Sequence, residues 1–152
     1  MRIDLILNGR SAALEARSDE MLLDVLRREG LLSVRATCSI GVCGACTVLL
    51  DGEPVSGCLL LAAQAAGREV TTVEGLEAAD PVQRAFDAAH AFQCGWCTPG
   101  FVLTVRALLR DQPDPSDAEI AEALGGNLCR CGSYVKIADA VRLAARELRG
   151  SA

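Results

Sequence analysis

Eight cysteines in a chain of 152 residues constrain this protein more than any other feature, because thiols at that density cross-link, ligate or react. They fall into two groups. Cys38, Cys43, Cys46 and Cys58 lie close together, and Cys94, Cys97, Cys129 and Cys131 form the rest. A disulfide framework needs an oxidising compartment. The opening run Met1-Arg-Ile-Asp-Leu-Ile-Leu-Asn-Gly puts Asp4 and Asn8 where an export signal has its apolar stretch. The expectation is therefore a cytoplasmic protein, in whose reducing surroundings clustered cysteines bind metal or catalyse. No apolar run reaches the roughly 20 residues of a transmembrane segment: Gln64 interrupts the run at 58–66, and Arg106 ends the one at 101–105. The net charge of −5, with the basic residues scattered, argues against a nucleic-acid partner, which would need a basic face.

The first group reads C-x4-C-x2-C-x11-C, and its leading three cysteines have the spacing of plant-type [2Fe–2S] ligation. Three thiolates must converge on one small rhomb while backbone N–H groups point at its sulfurs. Ser39, Gly41, Gly44 and Ala45 between them are small enough to let the backbone approach. Cys58 returns beside them by a hairpin over Asp51-Gly52, at little entropic cost. The second group, C-x2-C-x31-C-x-C, is less specific by spacing. Its two pairs precede helices expected from Thr98 and from Ser133, and helix N-termini offer free N–H groups and a positive dipole end to an anionic cluster.

The rest of the pattern divides in two. Alternation at Ile3, Leu5 and Leu7 predicts a strand, Asn8-Gly9 a tight turn, and 10–16 a second strand. Ser18 is the expected cap of a helix over 20–28, with Gly30 past its end. A hairpin is predicted over 47–56, a short buried helix over 59–66, and a strand over 70–73. A joint is expected at 76–80. Beyond it the pattern is helical: 81–91, then a helix opened by Thr98 as N-cap with Pro99 at the first position. A third is opened by the capping box of Ser116 and Glu119 and stopped at Gly125-Gly126, and a fourth runs over 134–148. Each half has the size at which a hydrophobic core alone is marginal and a metal staple is commonly added.

Alternatives fit the same count. Two zinc sites of four cysteines each would also staple small domains, and a non-redox zinc-binding adaptor would need nothing more. Zinc sites favour paired C-x2–4-C units, however, and leave the glycine-lined C-x4-C-x2-C loop unexplained. A thioredoxin-like motif lacks its βαβ setting.

At these residues the chain resembles a known family. Cys38-Ser-Ile-Gly-Val-Cys43-Gly-Ala-Cys46-Thr-Val is similar to the first cluster motif of the iron–sulfur subunit of the xanthine oxidase (molybdenum hydroxylase) family. Gln93-Cys-Gly-Trp-Cys97-Thr-Pro-Gly100 and Gly126-Asn-Leu-Cys-Arg-Cys131 are similar to its second. The resemblance implies an α+β chain: a β-grasp, ferredoxin-like domain over 1–76, then a helical four-helix-bundle domain over 77–152. Each would hold one [2Fe–2S] cluster, on Cys38, Cys43, Cys46 and Cys58 and on Cys94, Cys97, Cys129 and Cys131. It also implies an electron-relay subunit with no substrate chemistry of its own. A large subunit would carry the molybdopterin cofactor, a medium subunit would usually carry FAD, and Gln93 and Cys131 would approach the pterin. The sequence departs from the family's common form after Cys131, where Gly132-Ser133 stand in place of Thr-Gly. Trp96 stands where the family often has Phe, and the expectation is an apolar shield.

Other residues read as structural. His90, the only histidine, is expected on the helix over 81–91, and Phe86, Phe92 and Phe101 in the core. No Ser/His/Asp arrangement or Rossmann fingerprint is present.

Overall fold

The computed structural model describes residues 1–78 and 80–150. Ala79, within the expected joint at 76–80, and the last two residues of the expected 77–152 domain lie outside the described residues. Among the described residues the elements are β1 (Arg2–Leu7), β2 (Arg10–Glu15), α1 (Leu22–Arg28), β3 (Thr47–Leu50), β4 (Glu53–Ser56), β5 (Glu69–Thr71), α2 (Pro81–Ala88), α3 (Thr98–Asp111), α4 (Asp117–Leu124) and α5 (Tyr134–Gly150). Short 3-10 turns lie at Ala62–Ala65 and Val73–Gly75.

The strands form one mixed sheet in the order β2-β1-β5-β3-β4. Only β1 and β5 pair in parallel; the hairpins β1–β2 and β3–β4 and the β3–β5 pair are antiparallel. Both hairpins turn where predicted, on residue pairs that accept left-handed backbone: Asn8 and Gly9 at φ 51° and 74°, Asp51 and Gly52 at 51° and 86°. Asn8 also ties β1 to the exit of β5, its Oδ1 accepting the Thr72 N–H at 2.8 Å. That bond ends β5 at Thr71, short of the predicted Val73. The inner face of the sheet packs on α1, with Ile3, Leu5, Val48 and Val70 against Leu22, Val25 and Leu26.

Two predictions in this half need correction. Ser18 does not cap α1; the N-cap is Met21, without a side-chain bond. The carboxylate of Glu20 instead accepts the Arg17 N–H at 3.0 Å and pairs with Arg28, closing a turn before the helix begins. The helix predicted over 59–66 shrinks to one 3-10 turn. Leu22 N–H donates to Leu60 C=O and Ala62 N–H to Glu20 C=O, so extended pairing takes up the backbone that a longer helix would use.

In the second half, Asp80 caps α2 by accepting from Val82 and Gln83 N–H, and it pairs with Arg106 of α3. The helix stops at Ala88. His90 lies beyond it at φ 50°, and Ala91 N–H closes onto Phe86 C=O at 2.9 Å, a left-handed helix stop. Thr98 is not the cap of α3: Cys97 is, and the Thr98 hydroxyl is buried without a partner. The Ser116–Glu119 capping box forms as predicted. Helix α2 packs on α5 and α3, and α4 packs on α3 and α5, around Phe86, Phe101, Val105, Ile137 and Val141. Phe92, expected there, is 40% exposed. Leu49 of β3 packs with Leu103 and Ala107 of α3, so α3 joins the sheet to the helices. No helix among the described residues is long and apolar enough to cross a membrane.

Candidate metal centres

The first four cysteines converge at one end of the sheet. The loop over 38–46 uses left-handed backbone at Ser39, Gly41 and Gly44 (φ 56°, 76° and 66°), which turns successive N–H groups inward. The Cys38 thiol receives backbone N–H bonds from Ile40, Cys43 and Val42, which pull its pKa down to about 6. Cys38 is hydrogen-bonded to the Cys43 thiol. Cys46 and Cys58 form a second pair on the buried side. Gly57 N–H donates to Cys46 C=O at 3.2 Å, extending the β3–β4 ladder and setting Cys58 beside Cys46. Burial pushes the Cys46 thiol up to about 11, only partly offset by the Cys58 backbone N–H. Cys43 and Cys46 lie close enough to repel as thiolates, which links the two pairs.

The second four also stand as two pairs. Sγ of Cys131 lies 3.6 Å from Sγ of Cys94, and Cys97, at the N-terminus of α3, is hydrogen-bonded to Cys129. Exposed Cys94 is lowered by the Trp96 backbone N–H and the Cys131 thiol. Cys97 is pushed up to about 12 by burial and by the Cys129 thiol. Burial raises Cys129, but the N–H and hydroxyl of Ser133 outweigh it and its net shift is downward. Ser133 N lies 3.4 Å from that sulfur, so Ser133 stabilises a thiolate just ahead of α5.

Soft thiolate donors suit iron–sulfur clusters and zinc alike. Two thiolates on one tetrahedral metal with bonds of about 2.3 Å stand about 3.8 Å apart, which matches the Cys94–Cys131 separation. A single ion would gather all four thiols of a group. Two linked pairs per group fit a centre with two metal atoms.

The two groups touch. Leu128 N–H donates to Cys43 C=O at 2.9 Å, and Asn127 Nδ2 donates to Gly44 C=O at 3.1 Å. Trp96, 46% exposed, donates its indole N–H to Thr37 Oγ1 at 2.8 Å. Arg35 lies over its ring, 4.6 Å from the centroid. Gln93 and Cys131 are brought together, Gln93 Nε2 donating to Cys131 C=O at 3.2 Å. His90 stands apart, in the turn after α2. Sequence reasoning missed Thr37, Thr104 and Asn127. Asn127 stands inside the motif Gly126-Asn-Leu-Cys-Arg-Cys131, but that reading assigned it no role.

Comparison with known proteins agrees in both halves. Residues 5–79 match the "2Fe-2S iron-sulfur cluster binding domain" family and residues 72–142 the "[2Fe-2S] binding domain" family. The small FeS subunit of nicotinate dehydrogenase from Eubacterium barkeri is 49% identical over 146 residues, covering 93% of each chain. The iron–sulfur-binding subunit of xanthine dehydrogenase from Escherichia coli O157:H7 is 43% identical over 145 residues, covering 91% of each. Among solved structures, a chain of quinoline 2-oxidoreductase from Pseudomonas putida 86 superposes with a TM-score of 0.94 at 41% identity, covering 99% of this chain and 96% of that one.

Proposed function

Since this chain belongs to the xanthine oxidase (molybdenum hydroxylase) family as an iron–sulfur small subunit, we propose that it relays single electrons through two [2Fe–2S] clusters. They would pass from the molybdopterin centre of a large subunit to FAD, on a medium subunit, or to another acceptor. The observation that carries the reading is the arrangement of each cysteine quartet as two linked thiol pairs with backbone N–H groups turned toward the sulfurs. Cys38 and Cys43 would hold one iron of the first cluster, and Cys46 and Cys58 the other. In the second cluster the pairs are Cys94 with Cys131 and Cys97 with Cys129. A bound [2Fe–2S] cluster supplies a one-electron couple, tuned by N–H···S bonds and burial.

The domain division goes with this reading: a β-grasp, ferredoxin-like unit over 1–76 and a four-helix bundle over 77–152. The separate apolar cores on either side of the joint support it. So do the crossover that makes β1 and β5 parallel and the packing of α2–α5. The proposed place of work is the cytoplasm. Gln93 and Cys131 would face the pterin. Cys94 is exposed and the Gln93 amide is anchored on the Cys131 backbone, which leaves the Gln93 Oε1 as an acceptor for a pterin edge. Around the first loop, Ile40, Val42 and Leu59 are 68%, 56% and 60% exposed, an apolar rim suited to burial against an acceptor subunit.

Metal and acid-labile sulfide analysis of anaerobically purified protein tests the reading. Four iron and four sulfide per chain are expected from two clusters. Two zinc and no sulfide would overturn it in favour of a zinc adaptor.

A further inference from the structure

Asn127 is 5% exposed, yet it belongs to no helix or strand and ligates nothing. Its amide is used at both ends. Nδ2 donates to the carbonyl of Gly44, in the first cysteine loop, at 3.1 Å. Oδ1 accepts from the Thr104 hydroxyl of α3 at 3.1 Å, a hydroxyl also within 3.0 Å of Gly100 C=O. The neighbouring Leu128 N–H meets Cys43 C=O at 2.9 Å. The route from the Cys43 sulfur to the Cys129 sulfur is therefore covalent throughout, interrupted only by that hydrogen bond. The close approach is built in. A Cβ on Gly44 would strike Gly126 C=O and the Asn127 amide, and one on Gly100 would strike Gly44 C=O.

Resting on the two-cluster reading, we infer that Asn127 is a positioning residue for electron exchange between the clusters, clamping the first cysteine loop onto the segment that carries Cys129. Leu128 N–H cannot hold Cys43 C=O by itself, because the segment over 125–128 is irregular and its neighbouring glycines leave it many conformations. The buried amide, locked from behind by Thr104, selects one of them. The contact across to the first loop is made by Nδ2, so losing that donor leaves the Gly44 carbonyl unpaired and costly in a buried place, and the loops part.

The full chain is purified with its clusters, and Asn127→Asp is compared with Thr104→Val. Aspartate keeps the shape and the acceptor toward Thr104 but turns an acceptor on Gly44 C=O. Valine removes the hydroxyl and leaves the bond to Gly44. Two quantities are read at unchanged iron and sulfide content. One is the magnetic splitting between the two reduced clusters in the low-temperature paramagnetic spectrum. The other is the rate of electron exchange between them after one-electron pulse reduction. In Asn127→Asp the splitting collapses and exchange slows roughly tenfold or more, since transfer that depends on a fixed geometry is lost steeply with displacement. Thr104→Val, which loosens the amide from behind but keeps its donor on Gly44 C=O, shows a clearly smaller loss of both. Unchanged values in Asn127→Asp, or equal losses in the two variants, overturn the inference. If Asn127→Asp does not retain its iron, Asn127→Ser, too short to reach Gly44, is read against the same two outcomes. A wild-type chain without iron and sulfide would instead refute the cluster reading itself.

Discussion

Replacing Gly44 by alanine should separate the two cysteine loops, and the loss can be worked out from the contacts. Gly44 holds φ at +66°, a region that costs a residue with a Cβ about 1–2 kcal/mol. The added methyl would also run into Gly126 C=O and the Asn127 amide. Relief requires the segment at 126–128 to withdraw, breaking the bonds Asn127 Nδ2 to Gly44 C=O and Leu128 N–H to Cys43 C=O. Each is worth about 1 kcal/mol net. The sum is about 3–4 kcal/mol, which at roughly 2–4 °C per kcal/mol for a chain of this size lowers Tm by about 10 °C. Gly126→Ala is the matched control. It lies within the same contact, but its backbone is not left-handed and its Cβ would meet nothing within 4 Å, so its effect should stay within about 0.5 kcal/mol. Both variants are melted side by side with cluster-loaded protein. If Gly44→Ala melts with Gly126→Ala and the wild type, the close loop contact does not exist in solution.

In the metal-free chain, Cys38 should be the thiol most readily alkylated at neutral pH, with a midpoint near 6, against an ordinary value of 9.0. Cys46 and Cys97, held up at about 11 and 12 by burial, should stay unmodified below pH 10; mass mapping of alkylation against pH reads both. Because the folded pKa of Cys38 lies below the unfolded one, its thiolate stabilises the metal-free fold fully above pH 9 and stops doing so as pH falls through 6. Cys43→Ala should remove one of two paramagnetic signals from the reduced protein and spare the other, since the four residues of each quartet lie on one side of the joint. The same variant should lose thermal stability with its metal staple, whereas loss of both signals in a folded chain would mean ligation across the joint. Ser116→Ala, which removes the hydroxyl half of the capping box of α4 and leaves the backbone N–H of residue 116 to the Glu119 carboxylate, should cost about 1 kcal/mol, and a melt indistinguishable from wild type would refute that.

Local chemistry was legible in the sequence wherever one short segment settles it. Asn8-Gly9 and Asp51-Gly52 turn as read because the φ they need is available within the pair itself. Ser116 and Glu119 cap each other across a single turn. The cysteine spacing likewise determined which thiols could share a loop, and the motifs around them carried the family. Where a residue had several possible partners, sequence chose wrongly. Ser18 lost α1 to the turn that Glu20 closes with Arg17 and Arg28. Thr98 lost the cap to Cys97, and Phe92 faces outward because the chain leaves α2 through the left-handed His90. Only the tertiary structure decided which thiols stand together, Cys94 with Cys131 and Cys97 with Cys129, and that Asn127 reaches Gly44 from the other half of the chain. Such contacts join segments far apart in sequence. The packing of α3 on β3 and of α3 and α5 on α4 brings these segments together, and that packing has no periodic signature in the segments themselves.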